Sequence, residues 1–204
     1  RTYRFEDAGQ YAGLGGRALT SRIVSREVPA DCHPLSAENK LVLAAGILAP
    51  TTAANSGRMS VGAKSPLTGG IKESNSGGQF ANTLPKLGLQ AIVLEDKPES
   101  GSPMMDIIVR DSSVEFRDSV VAGMRTYAAQ EKLLATYGKD MVTAMVGPAG
   151  EQCLAAATVQ FSDPDGLPSR SAGRGGMGAV MGSKGVKAIL LDSTASAKVT
   201  YADE

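Results

Sequence analysis

The sequence has no tryptophan, one histidine and only two cysteines, and aromatic residues make up 4% of it. Cys32 and Cys153 lie far apart with no Cys-x-x-Cys spacing, so neither a disulfide framework nor a cysteine-based metal or redox motif is expected. Both read as inert thiols filling apolar space. No stretch approaches the about 18 apolar residues that a membrane-spanning helix needs, and no charged-then-apolar leader opens the chain. The expectation is therefore a cytoplasmic protein with no membrane partner. Charge of either sign is also not in excess, with 21 lysines plus arginines against 21 aspartates plus glutamates. Without a basic field, nucleic acid is not an expected partner, and any anion binding has to be local. His33 precedes Pro34 in a loop and reads as a solvated bystander despite its useful titration range.

What the chain does have is 204 residues, 42% of them hydrophobic and 21% charged, the balance of a globular domain with a proper core. A helix is expected within Phe5 to Val28, after a turn punctuated by Gly13, Gly15 and Gly16. Leu19 and Ile23 sit one turn apart there, and Pro29 ends it. Leu41–Ala45 and Met59–Ser65 read as buried strands. Gly69–Gly78 reads as a loop, followed by a turn or two of helix from Gln79 to Leu87 that Gly88 caps. Ala91–Glu95, Met104–Arg110, Val114–Arg117, Met141–Val146, Ala156–Phe161 and Lys187–Leu191 read as strands. Met124 to Tyr137 is the clearest helix, with Met124, Ala128 and Leu134 on its expected inner face and Gln130 and Lys132 off it. Strands outnumber helices and no βαβ alternation is visible, so the fold class is α+β. Residues 1–192 read as one domain and 193–204 as a polar tail or linker.

Two segments combine glycines with isolated cations and small hydroxyl residues. The first runs from Ser56-Gly57-Arg58 to Gly77-Gly78, the second from Ser169-Arg170-Ser171-Ala172 through Gly173-Arg174-Gly175-Gly176 to Met177-Gly178. Glycines let backbone amides approach a ligand closely, and arginine offers a fixed fork of donors that suits phosphate. Anion binding and tight interstrand loops would both produce this composition. Gly173-x-Gly175-x-x-Gly178 also matches a dinucleotide fingerprint literally. A genuine one follows a strand, and Leu167-Pro168-Ser169-Arg170 does not read as a strand, so a nicotinamide-nucleotide site is not expected. The Gly182-Ser183-Lys184 string fails as a phosphate loop, because no glycine directly precedes the lysine.

Taken together, several strings are specific. They are Pro34-Leu35-Ser36-Ala37-Glu38-Asn39-Lys40-Leu41, Ser56-Gly57-Arg58-Met59-Ser60-Val61, Lys64-Ser65-Pro66-Leu67-Thr68-Gly69-Gly70 and Ser74-Asn75-Ser76-Gly77-Gly78. Gly147-Pro148-Ala149-Gly150-Glu151 and the run from Ala172 to Lys184 complete the set. In order and spacing the chain resembles the N-terminal domain of the tungsten-containing aldehyde:ferredoxin oxidoreductase family. The resemblance implies a base of two β-sheets with a few packed helices, on which a tungsten (or molybdenum) bis-pyranopterin lies, a Mg2+ ion bridging its two phosphates. It implies cofactor-binding roles for Arg58, Asn75, Ser76, Gly77, Gly78, Arg170, Ser171 and Arg174. Asn75 and Ser171 would turn backbone carbonyls toward the magnesium. No catalytic residue is expected in this stretch.

The family pattern is departed from at Lys72-Glu73, where a Gly-Asp pair usually stands, and at Ser171, usually alanine. The resemblance further implies aldehyde oxidation to carboxylate, with electrons leaving through a 4Fe-4S cluster to a ferredoxin-like acceptor. Four thiolates hold such a cluster, so it belongs to a part that this chain lacks. The chain opens on Arg1 and is about a third of the family's length. It is therefore expected to work with C-terminal cluster-binding domains or a partner subunit, in a longer or split enzyme, and to be inactive alone. The alternative is a stand-alone or split-subunit pterin-binding protein without catalysis. Half a cofactor site should expose an apolar face, from which a homo-oligomer is expected.

Overall fold

The computed structural model describes residues 1–51, 53–111 and 113–195. Of the tail expected at 193–204, residues 196–204 lie outside the described ones. Helix α1 (Gly16–Glu27) is followed by strands β1 (Leu41–Ala45), β2 (Met59–Lys64) and β3 (Ile71–Ser76). Next come α2 (Phe80–Thr83), a 3-10 turn (Leu84–Leu87), β4 (Ala91–Leu94), β5 (Met105–Arg110), β6 (Ser113–Asp118) and α3 (Thr126–Tyr137). The chain closes with β7 (Met141–Met145), α4 (Pro148–Glu151), β8 (Val159–Phe161), β9 (Arg170–Ala172), α5 (Met177–Ser183) and β10 (Val186–Asp192).

The strands form two sheets, as expected of an α+β fold: a four-stranded antiparallel sheet in the order β3-β2-β1-β4, and a six-stranded one ordered β6-β5-β10-β7-β8-β9. Among the described residues, only β5 and β10 pair in parallel. The layering follows from strand alternation, since successive side chains face opposite ways. In β1, Leu41, Leu43 and Ala45 enter the core between the sheets, while Val42 and Ala44 pack on Leu19, Ile23 and Val24 of α1. In β10, Ile189 and Leu191 enter that same core, and Ala188 and Leu190 pack with Ala129 and Leu133 of α3. Both sheets are therefore covered on both faces by helices or by each other, which is why these strands read as unbroken apolar runs.

Three expectations are corrected. The stretch within Gly69–Gly78 is not a loop throughout: Ile71–Ser76 is an edge strand paired in full register with β2. Its sequence, Ile-Lys-Glu-Ser-Asn-Ser, lacks apolar alternation because hydrogen-bonded serines replace aliphatic side chains on its buried side. The stretch before Gly173 does hold a strand, β9, and Gly176 opens α5. Successive antiparallel pairings from β10 through β7 and β8 make β9 antiparallel to β10, so no βαβ crossover forms and the nucleotide fingerprint stays unsupported. Finally, α3 buries Ala129, Gln130 and Leu133; of the expected face Met124 and Leu134 pack partly against the same cluster, and Ala128 is exposed. Inside, Gln130 Oε1 accepts from the Thr143 hydroxyl at 2.6 Å, while among the described residues its buried Nε2 has no partner.

Candidate anion-binding rim

Arg58 immediately precedes β2. A Cβ on neighbouring Gly57 would come within 2.7 Å of the Asn82 side-chain amide, so the chain passes close to α2 here. Across the β2–β3 ladder Ser60 faces Asn75, and Arg58 Nε donates to Asn75 Oδ1 at 2.6 Å. The Ser76 side chain turns inward, its Oγ donating to the Gly77 carbonyl at 3.2 Å. Of the set expected from the sequence, Ser76 thus offers the rim only its backbone.

Gly77 and Gly78 lie between two arginines from different sheets. A Cβ on Gly77 would be 3.4 Å from Arg58 Nη1, and one on Gly78 would be 3.5 Å from Arg170 Cγ. The Gly78 position would also place that atom 2.5 Å from the Ser162 carbonyl at φ +108°, where glycine alone is unstrained. Gln79 N donates to that carbonyl at 3.0 Å and ties the two sheets together.

Arg170 is delivered by a loop organised around Asp163. Its Oδ1 accepts from the amides of Asp165 and Leu167, both at 2.9 Å, and its Oδ2 from the Ser169 hydroxyl at 2.5 Å. The Ser169 hydroxyl and those amides hold this carboxyl below its usual range. Ser171 faces Gln160 across the ladder, and Gln160 Nε2 donates to Ser171 Oγ at 3.0 Å. Arg174 N donates to Ser74 Oγ at 3.1 Å, which brings the second glycine-rich segment onto β3. Ser65 Oγ donates to the Gly175 carbonyl at 2.7 Å and anchors it further.

The structure therefore brings together Arg58, Asn75, Gly77, Gly78, Arg170, Ser171 and Arg174 along the meeting edges of β3 and β9. All three arginines are exposed. Among the described residues, Arg170 and Arg174 have no carboxylate within ion-pair distance, and the only side-chain partner of Arg58 is Asn75. Sequence reasoning missed Asn82, Gln160, Asp163 and Ser74, which place the arginines and their loops. It also missed Lys72, whose stem lies where a Gly175 side chain would be. Ser74 and Lys72 carry no local signal, since each meets a partner about a hundred residues away, whereas Asp163 organises its own turn through Asp165, Leu167 and Ser169.

Other polar residues have structural work. Buried Lys184 donates to the carbonyls of Ser36 at 3.0 Å, Ala37 at 3.2 Å and Asn39, pinning the Pro34–Leu41 string under α5. Burial pushes its pKa down to about 8, against the opposing fields of Asp96, Cys32 and Glu95. Lys187 is fully buried on Glu151 and the Met124 carbonyl. His33 is exposed, its Nδ1 accepting from Leu35 N at 3.1 Å. Cys32 is buried and Cys153 half-buried, and burial raises the Cys153 thiol above its usual pKa. Ile47 and Leu48 are exposed beside a shallow groove of about 280 Å³ lined by Pro50, Pro85 and Leu89. No described helix is long and apolar enough to cross a membrane.

Arg58 before β2 and Arg170 on edge strand β9 flank one glycine pair in a domain of the two-sheet α+β class. The family model "Aldehyde ferredoxin oxidoreductase, N-terminal domain" matches residues 1–193, and the chain belongs to that family. The tungsten-containing aldehyde ferredoxin oxidoreductase of Pyrococcus furiosus is 42% identical over 183 residues, 89% of this chain and 29% of that protein. That of Thermococcus kodakarensis is 39% identical over 197 residues, 94% of this chain and 30% of that protein. Among solved structures, the active site complex BamBC of benzoyl coenzyme A reductase with 1,5 dienoyl-CoA superposes with a TM-score of 0.80. It is 30% identical, over 88% of this chain and 26% of that one. The chain thus spans under a third of the length of these relatives.

Proposed function

We propose that the rim between β3 and β9 holds the phosphate groups of a tungsten bis-pyranopterin, molybdenum being the alternative metal. Arg58, Arg170 and Arg174 would bind phosphate oxygens. Asn75, Ser76, Gly77, Gly78 and Ser171 would offer backbone, the carbonyls of Asn75 and Ser171 facing a magnesium ion. The observation that carries this reading is that arginines from two different sheets flank one glycine pair. The donor set fits. Guanidiniums free of carboxylates suit a phosphate dianion, and edge strands leave carbonyls outside the ladder, the oxygen ligands a hard cation prefers.

When bound, such a cofactor would supply the two-electron oxidation of an aldehyde to a carboxylate. The residues of this chain would bind and orient it, and none is assigned a proton-transfer or bond-making role. A 4Fe-4S cluster requires more thiolates than Cys32 and Cys153 provide. The cluster and the contact with a ferredoxin-like acceptor would then belong to further domains or a partner subunit, with residues 1–192 as the pterin-holding unit. Mass spectrometry of the native protein containing this chain should find tungsten or molybdenum with pterin. A paired Arg58→Gln, Arg170→Gln variant should fold and lose both. Full retention of pterin by that variant would overturn the assignment.

A further inference from the structure

One side of the four-stranded sheet carries a chain of side-chain hydrogen bonds that ends on Arg58. Arg17, in the first turn of α1, donates from Nε to Glu73 Oε2 at 3.2 Å. Ser60 Oγ donates to Glu73 Oε1 at 2.7 Å. Asn75 Nδ2 donates to Ser60 Oγ at 3.3 Å, and Arg58 Nε donates to Asn75 Oδ1 at 2.6 Å. Glu73 and Asn75 are two residues apart on β3 and so share a face, with Ser60 opposite Asn75 on β2. The middle of the chain is out of water: Ser60 is 2% exposed and the Glu73 side chain 8%, against 75% for Arg17.

The direction of every bond follows from one charge. An ionised carboxylate only accepts, so it commits the single proton of the Ser60 hydroxyl. The remaining capacity of that oxygen is to accept, and Asn75 must therefore turn its NH2 toward Ser60. Its carbonyl then faces Arg58 and takes the Nε proton. With Nε occupied, Arg58 presents its two terminal nitrogens, Nη1 running beside Gly77. A glutamine at position 73 could donate to Ser60 instead. The hydroxyl would then be free to donate to the Asn75 carbonyl, and the amide would meet Arg58 donor to donor.

We propose that Glu73 is a positioning residue: its carboxylate, through Ser60 and Asn75, sets the orientation in which Arg58 meets a phosphate group. The phosphate half of this statement rests on the function proposed above; the orientation half does not. The full chain, labelled with 15N, allows both to be read by NMR, with the Arg58 Nε–H signal identified by its loss in Arg58→Lys. In the wild type this proton should exchange slowly, and inorganic phosphate should shift it. In Glu73→Gln its exchange should accelerate about tenfold and the phosphate Kd should rise about tenfold, the size of one charge-assisted hydrogen bond. The thermal midpoint should hardly move.

Ser60→Ala, which cuts the same chain without changing charge, should reproduce both effects and serves if Glu73→Gln fails to fold. Wild-type exchange in a folded Glu73→Gln or Ser60→Ala variant would overturn the proposal. Exchange that depends on Glu73 in a protein indifferent to phosphate would support the orienting role while sinking the phosphate reading alone.

Discussion

In the second glycine-rich segment and the rest of α5, Gly176, Gly178 and Gly182 face other backbone. A Cβ on Gly182 would lie 1.8 Å from the Gly150 carbonyl, one on Gly176 2.0 Å from that of Ala155, and one on Gly178 2.4 Å from that of Thr158. All seven residues of α5 are buried. In the first segment Gly69 and Gly70 have nothing within 4 Å, and Gly77 meets only the Arg58 guanidinium. The two segments share a composition, yet Gly176, Gly178 and Gly182 exist to let α4, α5 and the turn before β8 approach. In the first, Gly69, Gly70 and Gly77 leave a rim open, whereas Gly57, Gly62 and Gly78 are packed against Asn82, Thr20 and the Ser162 carbonyl. Glycine content alone therefore does not mark a ligand site; what its missing side chain would have touched does.

The sharpest way to break that contrast is Gly182→Ala. Backbone stands where the new methyl must go, so about 3 kcal/mol or more of stability should be lost. Urea denaturation of whatever soluble protein results would measure it, and a loss below about 1 kcal/mol would erase the distinction between the segments. Lys184→Met tests the same interior through its polar side. Three carbonyls would lose their donor, at about 1 kcal/mol or more each, and the 36–39 stretch should lose amide protection in hydrogen exchange.

Lys184 also sets a pH dependence. Its folded pKa, about 8, lies below the ordinary 10.5, so between those values the unfolded chain binds more protons. Stability should therefore rise with pH across that window, and the rise should be smaller in the Met variant. The gentlest test is Gly70→Ala in the first segment, where space is open and φ is not positive. A change within about 0.5 kcal/mol is expected in thermal melts.

Legibility differed from element to element for reasons that can be named. The apolar runs of β1, β2, β7 and β10 were readable because covering both faces of a strand imposes an unbroken hydrophobic pattern. The α2 segment was readable because Pro85 and Gly88 limit it, Gly88 adopting φ 72° as its cap. β3 escaped because its buried positions are serines: Ser74 accepts from Arg174 N, and Ser76 bonds the Gly77 carbonyl. β9 has only three residues, too few for any periodicity. On α3, Gln130 was read as outward because the partner of its Oε1, the Thr143 hydroxyl, lies on another element. At the rim, the arginines and glycines were found as strings, whereas Glu73, recorded only as a departure from the family pattern, turned out to be a central link in the chain leading to Arg58.

By itself the sequence determined the α+β class, most of the strands, the C-terminal ends of α1 and α3 and the family, because each is written in local periodicity, in turn chemistry or in contiguous strings. The tertiary structure alone decided which edges meet. Ser74 and Arg174 are 100 residues apart, and their contact exists only because two sheets, each completed by distant strands, close on a common core. It also decided which glycines are load and which are opening, since steric exclusion depends on what arrives from elsewhere in the chain. No local pattern can encode that arrival, because packing joins residues that share no segment.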